Sequence, residues 1–109
     1  MVLSEDNSIH FNSKAILYAK ERSGKKPNTV RLLSKTEVLR LEMWRRERGI
    51  KEIVIHCAED PYEYFRRKLV DITCVGEILG YYLYVFSWKH GGKEAKKYGP
   101  MVVKLKDND

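Results

Sequence analysis

Cysteine and long apolar runs are both scarce in this sequence. Its 109 residues include only two cysteines, Cys57 and Cys74, which lie too far apart in the chain for the C-x-x-C spacing of redox and zinc motifs. We therefore expect two reduced thiols in a cytoplasmic protein. No stretch approaches the ~18 consecutive apolar residues of a membrane span, and the acidic segment 1–7 lacks the apolar core of a signal peptide. These absences predict a soluble protein with no membrane partner.

Histidine is also scarce, and this bears on metal binding. The three histidines, His10, His56 and His90, are isolated from one another along the chain. Structural zinc sites need four ligands, which usually come in closely spaced pairs. We therefore predict no metal and no other cofactor, and we interpret each histidine as an ordinary strand or loop residue.

Positive charge, in contrast, is in excess. The chain has 21 Lys and Arg against 15 Asp and Glu, a formal net charge of +6. This balance favours polyanionic partners such as RNA, although many proteins with surplus lysine bind no nucleic acid. The length suffices for one domain with a single modest core. We expect that domain to span residues 1–109, with flexible tails at about 1–7 and 106–109; no pattern predicts an oligomeric state.

The first quarter of the chain reads as a strand followed by a helix. Residues 8–11 are a short candidate strand, and the apolar spacing over about 14–22 predicts a helix. Asn12 or Ser13 is expected to cap this helix, because either side chain can accept a hydrogen bond from a first-turn amide. Gly24 stands where a left-handed conformation would end it.

A second strand and helix follow. Residues 28–33 predict a strand that places Thr29 and Arg31 on one face. Residues 34–37 have the S-x-x-E form of a capping box, which opens a helix. Gly49 is expected to end that helix.

The second half of the chain is dominated by predicted strands, at residues 52–56, 69–79, 81–88 and 101–105. Residues 61–68 allow either a short helix or the returning strand of a hairpin, and their alternation favours the hairpin. Gly76 predicts a bulge or a close approach of the backbone to another group, and a basic loop is expected at 89–97. Several short strands with two early helices predict an α+β domain on a curved or closed sheet.

The motif Gly-x-Lys-x-x-Thr-x-Arg occupies residues 24–31. It resembles the signature of the ASCH family, a branch of the PUA-like superfold, in which a strand and a helix precede the motif and a strand follows it. The resemblance covers about residues 9–31, and the segments 28–31 and 76–88 are similar to short phage and prophage members. It implies a PUA-like small curved β-barrel with two helices near the N-terminal half. The helix inserted after Arg31 departs from the family pattern.

The resemblance also implies a cleft lined by this loop that binds RNA or a modified nucleoside. Glycine permits a close approach of backbone to ligand, lysine and arginine supply positive charge, and arginine can bind two acceptors at once. The ligand-binding residues expected on this basis are Gly24, Lys25, Lys26, Asn28, Thr29 and Arg31. Aromatic residues of the last long strand could stack on bases or belong to the core; these are Tyr81, Tyr82, Tyr84 and Trp88.

Two alternative functions remain open. Some ASCH proteins are small amidohydrolases acting on acetylated cytidine, and by that resemblance Thr29 is the nucleophile and Lys26 its activating base. A glutamate is also required, for which Glu77 is our choice. The other alternative is a non-catalytic phage accessory or protein-interaction domain whose loop charges are solvated. A concave site at Lys26 and Arg31, with a carboxylate within reach, would favour ligand binding or catalysis.

Overall fold

The computed structural model describes residues 1–90 of the chain. In chain order the elements are β1 (Val2–Leu3), β2 (Ser8–Ser13), α1 (Ala15–Ser23), β3 (Asn28–Leu33), α2 (Lys35–Glu47), β4 (Glu52–Cys57), β5 (Tyr64–Ile78) and β6 (Tyr81–Trp88). The α+β class and both predicted helices are confirmed. Most of the predicted loop 89–97, the predicted strand 101–105 and the predicted tail 106–109 lie outside the described residues.

The six strands form one mixed sheet in the order β1-β2-β4-β5-β6-β3. Strands β2 and β4 are parallel, because α1, β3 and α2 cross over between them, and every other neighbouring pair is antiparallel. Within residues 1–90 the sheet is open, with β1 and β3 at its edges. The α+β sheet is thus present, whereas these residues do not close the barrel that the family resemblance implies.

The segment 61–68, which the sequence leaves open between helix and strand, leads into a hairpin. Strand β5 begins at Tyr64, which pairs with His56 of β4 in antiparallel register. The hairpin prediction is therefore confirmed. The burial of side chains alternates along this strand, as it does in a sheet with one buried face: Phe65 is fully buried, while its neighbours Tyr64 and Arg66 are only partly buried.

Strand β5 is long enough to pair with β4 through its first residues and with β6 through the remainder. Its register with β6 shifts twice, between Leu69 and Asp71 and again between Cys74 and Gly76. The second shift confirms the predicted bulge, and each irregularity of this kind increases local twist and bends the strand. The sheet can therefore curve along β5.

One hydrophobic core lies on the inner side of the sheet. Tyr18 of α1 packs against Phe65 of β5, with ring centroids 5.3 Å apart, and Leu41 of α2 is fully buried. Further fully buried members come from the central strands and β6: Ile9, Phe11, Ile53, Ile55 and Phe86. Both helices thus bury a face against one core.

Helix α1 begins differently from the prediction. A cap by Asn12 or Ser13 is wrong: Lys14 occupies the N-cap position and makes no side-chain cap hydrogen bond. Instead, the Ala15 N–H donates to Glu59 Oε2 at 2.7 Å. Residues 12 and 13 are unavailable as caps because both remain in β2.

The other helix signals are confirmed. Gly24 adopts the left-handed conformation, with φ 86°, at the C-terminal end of α1. At the start of α2, the Glu37 N–H donates to Ser34 Oγ at 3.2 Å, and the Ser34 N–H donates to Glu37 Oε1 at 3.0 Å. This is the predicted capping box.

The first seven residues, expected to form a tail, contribute to the sheet. They contain β1, in which Val2 pairs with His10 of β2, and Met1 is buried. Neither helix in the described part of the chain is long and apolar enough to cross a membrane.

Candidate functional site

A cleft of about 480 Å³ opens between α1, the end of β2 and the edge strand β3. This volume lies within the range of about 300–1,000 Å³ typical of ligand sites. The lining residues are Asn12, Ser13, Lys14, Leu17, Glu21, Lys26, Thr29, Val30 and Arg31. Three residues predicted from the motif, Lys26, Thr29 and Arg31, are therefore brought together. Gly24, Lys25, Asn28 and Glu77 are not among the lining residues.

Gly24 shapes the loop that carries Lys26 into the cleft. Its φ of 86° is favourable only for glycine. A Cβ atom at this position would also lie 2.4 Å from the Nδ1 atom of His90. The turn therefore favours glycine, and any other residue here would also have to displace the His90 imidazole.

Lys26 and Glu21 form an ion pair at the cleft. Lys26 Nζ lies 3.5 Å from Glu21 Oε2 and donates to the backbone carbonyl of Asn28 at 2.9 Å. Glu21 is only 1% exposed, and its Oε1 atom has no hydrogen-bond partner within the described residues. Leaving a buried acceptor unpaired costs about 1–3 kcal/mol. Because Glu21 lines the cleft, a ligand N–H or O–H is a candidate partner for this buried acceptor, which residues 1–90 leave unbonded.

The sequence prediction missed Glu21 and chose Glu77 instead. Glu77 is exposed on β5, where it pairs with Tyr82 of β6. Glu21 lies in the last turn of α1, where an acidic residue usually faces solvent. Gly24 was the sequence signal that could have pointed to Glu21. A left-handed residue at this position turns the chain back onto the last turn of α1, where the Lys26 N–H donates to the Lys20 carbonyl.

Arg31 joins the edge strand β3 to β2. Its Nε donates to Thr29 Oγ1 at 3.0 Å, one terminal nitrogen donates to the Asn12 carbonyl at 2.7 Å, and the other donates to Ser13 Oγ at 2.8 Å. The guanidinium also lies 4.7 Å from the centroid of the Phe11 ring. All three nitrogens are thus engaged within the protein, so the structure uses Arg31 to position the site.

Thr29 presents the hydroxyl of the site. Its side chain is 3% exposed, and its oxygen accepts the hydrogen bond from Arg31. A hydroxyl has one hydrogen as well as two lone pairs, so Thr29 keeps a donor for a ligand. The cleft therefore combines a lysine donor, a hydroxyl and a carboxylate acceptor.

The aromatic residues considered as base-stacking candidates lie elsewhere. Tyr84 and Trp88 are 4% and 3% exposed and belong to the core. Tyr82 packs partly against it, while Tyr81 is exposed beside the β5–β6 turn. Their role is therefore mainly in packing, and none of them lines the cleft.

A second polar cluster joins β2 and β4, and the sequence did not reveal it. His10 Nδ1 lies 2.9 Å from His56 Nε2, and His10 Nε2 lies 2.9 Å from Ser8 Oγ. Ser8 Oγ donates its hydrogen to Asp6 Oδ1 at 2.5 Å, and Ser4 Oγ also lies 2.8 Å from His10 Nε2. Burial lowers the pKa of each histidine to about 4, which keeps the pair neutral.

Neither the histidines nor the cysteines form a metal centre in the part of the chain that the structure describes. No group of three or more His, Cys, Asp or Glu side chains there is arranged to hold an ion. Both cysteines are free thiols, Cys57 buried and Cys74 exposed.

Comparisons of the chain with protein-family models, with curated proteins and with solved structures find no significant match. The geometry and chemistry of the cleft are therefore the basis for assigning a function.

Proposed function

We propose that the chain is an ASCH-type, PUA-like domain that binds a nucleoside unit in this cleft. The unit is either a free modified nucleoside or one nucleotide of an RNA. Support comes from the motif at residues 24–31, from the strand, helix, loop and strand that carry it, and from the bends along β5. Arg31 adds to this, because its hydrogen bonds join β3 to β2, a contact that a closed PUA-like barrel would need.

The unpaired Oε1 of Glu21 is the observation that carries the proposal. Phosphate oxygens are acceptors and would not satisfy a carboxylate, whereas a nucleobase or ribose offers N–H or O–H donors. Lys26 and Thr29 in the same cleft supply donors to the acceptors of such a ligand. The exposed Lys14 at the rim could contact a phosphate if the nucleoside belongs to RNA.

The proposal predicts that Lys26 and Lys25 differ in their effect on binding. Lys26→Ala should weaken binding of cytidine or N4-acetylcytidine by about tenfold or more, because a charged hydrogen bond contributes about 1.5–3 kcal/mol. Lys25→Ala removes the same charge from an exposed neighbour outside the cleft and should leave affinity nearly unchanged. Isothermal titration calorimetry measures both.

Equal affinities for the two variants would contradict the proposed site. A short single-stranded RNA tested beside the free nucleosides distinguishes the two sources of ligand. If RNA is bound, its affinity should fall as salt rises, because phosphate contacts release counterions. The cleft itself weighs against the hypothesis of purely solvated loop charges, which requires no concave site at Lys26.

A second candidate function is amidohydrolysis, favoured by Thr29, Lys26 and Glu21 lining one cleft. The resemblance gives the role of base to Lys26, but because Lys26 is ion-paired with the buried carboxylate of Glu21, we assign that role to Glu21 instead. The Thr29 hydroxyl would attack the acetyl carbon of N4-acetylcytidine while Glu21 accepts its proton. The carbon–nitrogen bond then breaks, the proton passes to the departing amine, and cytidine leaves. Water hydrolyses the acetyl-threonine ester to acetate and restores the hydroxyl. Lys26 would stabilise the negative oxygen of the tetrahedral intermediate.

Release of cytidine from N4-acetylcytidine, followed by liquid chromatography, tests this second function. Thr29→Val should abolish turnover, Thr29→Ser should retain part of it, and Glu21→Gln should lower it by about a hundredfold or more, as removal of a general base does. Glu77→Gln is the matched control and should have no effect. Turnover that survives Thr29→Val would exclude Thr29 as the nucleophile.

A further inference from the structure

Strand β3 forms one wall of the cleft and pairs with only one other strand in residues 1–90, β6. In an antiparallel pair, successive residues point their N–H and C=O alternately towards the partner and away from it. The Trp88 N–H donates to the Pro27 carbonyl at 3.1 Å, so residue 27 faces β6 and Asn28 faces away. The register continues without a shift, so the backbone of Val30 also faces away from β6.

The Lys26 contact supports this assignment independently. Lys26 lines the cleft, and its Nζ donates to the carbonyl of Asn28. The Asn28 carbonyl therefore points towards the cleft and away from β6, as the alternation along β3 predicts. Val30 follows Asn28 by two residues and lines the same cleft. We therefore expect its backbone N–H and C=O to be presented together at the wall of the cleft that Glu21 also lines.

The part of this edge that faces the cleft, and whose outward carbonyl is not already occupied by Lys26, is one residue long. On one side, the outward carbonyl of Asn28 is already occupied by Lys26. On the other side, Leu32 does not line the cleft, and Arg31 between them ties β3 to β2. An added peptide strand would need several alternate residues of the edge, whereas a planar ligand needs a single donor and acceptor.

We propose that the backbone N–H and C=O of Val30 recognise the hydrogen-bonding edge of a nucleobase. The base would offer an acceptor and a donor on neighbouring atoms, as the N3 and N4–H of cytosine do. This inference rests on the proposed binding of a nucleoside in the cleft. If the inference holds, the backbone of Val30 determines base specificity, and the identity of the side chain at this position does not.

Proline substitution tests the inference, because it removes the N–H alone. Val30→Pro should be tolerated, since this N–H takes no part in the sheet formed by residues 1–90 and proline keeps the preceding Thr29 extended. Leu32→Pro is the matched control, because it makes the same change two residues along the same edge and outside the cleft. Val30→Ala retains the amide and controls for the side chain.

The expected result is a loss of about three- to tenfold in cytidine affinity for Val30→Pro, the effect of one hydrogen bond, with little change for the two controls. N4,N4-dimethylcytidine, which has no N–H on its base edge, should bind the native protein more weakly than cytidine. On titration of labelled protein with cytidine, the NMR resonance of the Val30 amide should shift more than that of Leu32. This last measurement applies even if Val30→Pro does not fold.

The outcomes separate the two proposals. If Lys26→Ala loses affinity while Val30→Pro matches Leu32→Pro, or if the Val30 amide does not respond to cytidine, nucleoside binding stands and recognition by the backbone is wrong. If neither Lys26→Ala nor Val30→Pro changes cytidine affinity, the site itself is wrong. Binding of an extended peptide in preference to any nucleoside would contradict both.

Discussion

At the scale of single residues, the site contains side chains whose polar atoms bond within the protein and one, Glu21, with a single oxygen left unbonded in residues 1–90. Arg31 is the residue that a basic motif most readily assigns to a ligand, yet its three nitrogens donate to Thr29, Asn12 and Ser13. Glu21, which no motif marks, has a carboxylate oxygen with no hydrogen-bond partner in residues 1–90. Residue type alone therefore does not separate positioning residues from binding residues here.

Gly24 provides a prediction at this scale. Gly24→Ala should destabilise the protein by about 1–2 kcal/mol for the left-handed conformation, with a further loss because the new Cβ would overlap His90. Gly49 has a similar φ of 79° but nothing within 4 Å of the position of a Cβ, so Gly49→Ala should show the conformational cost alone. Urea unfolding of the two variants measures the difference.

If overlap with His90 causes the additional destabilisation of Gly24→Ala, removing the imidazole should restore part of the lost stability. Adding His90→Ala to Gly24→Ala should recover the excess loss and leave a cost close to that of Gly49→Ala. Equal destabilisation by the two glycine substitutions would show that His90 makes no contribution.

At the scale of elements, the contact between β2 and β4 makes stability depend on pH. Burial lowers the pKa of His10 and of His56 from 6.5 to about 4. Above pH 6.5 both states of the protein are deprotonated at these residues, so stability is at its full value. As pH falls from 6.5 to about 4, the unfolded chain takes up protons that the folded chain does not, and stability is lost.

The slope in this window should approach about 1.4 kcal/mol per pH unit for each histidine. Urea unfolding at pH 7.5, 6.0 and 5.0 measures it. His56→Asn should flatten the dependence, whereas His90→Asn, at an exposed position, should not. Asp6, whose pKa is lowered from 3.8 mainly by its Ser8 hydrogen bond, acts with the same sign but below this window. A flat profile between pH 6.5 and 5 would contradict the prediction.

At the scale of the whole molecule, local signals predicted the elements and long-range pairing determined the site. The capping box at Ser34 and the left-handed Gly24 act within a few residues, so both could be predicted from the sequence. The unpaired Glu21, the contact between Arg31 and β2, and the histidine pair depend on which strands become neighbours. No short stretch of sequence indicates that β2 pairs in parallel with β4 or that β3 lies at the far edge of the sheet. These features therefore could not be predicted.

The position of β3 in the sheet has a consequence for synthesis of the protein. The motif of residues 24–31 is made early, but its strand pairs with β6, which ends at Trp88. During translation, about sixty residues after the motif must be synthesised before β3 can pair with β6 and form its wall of the cleft. A nascent chain released before Trp88 would carry every motif residue and still lack the strand pairing that holds this wall of the cleft in place.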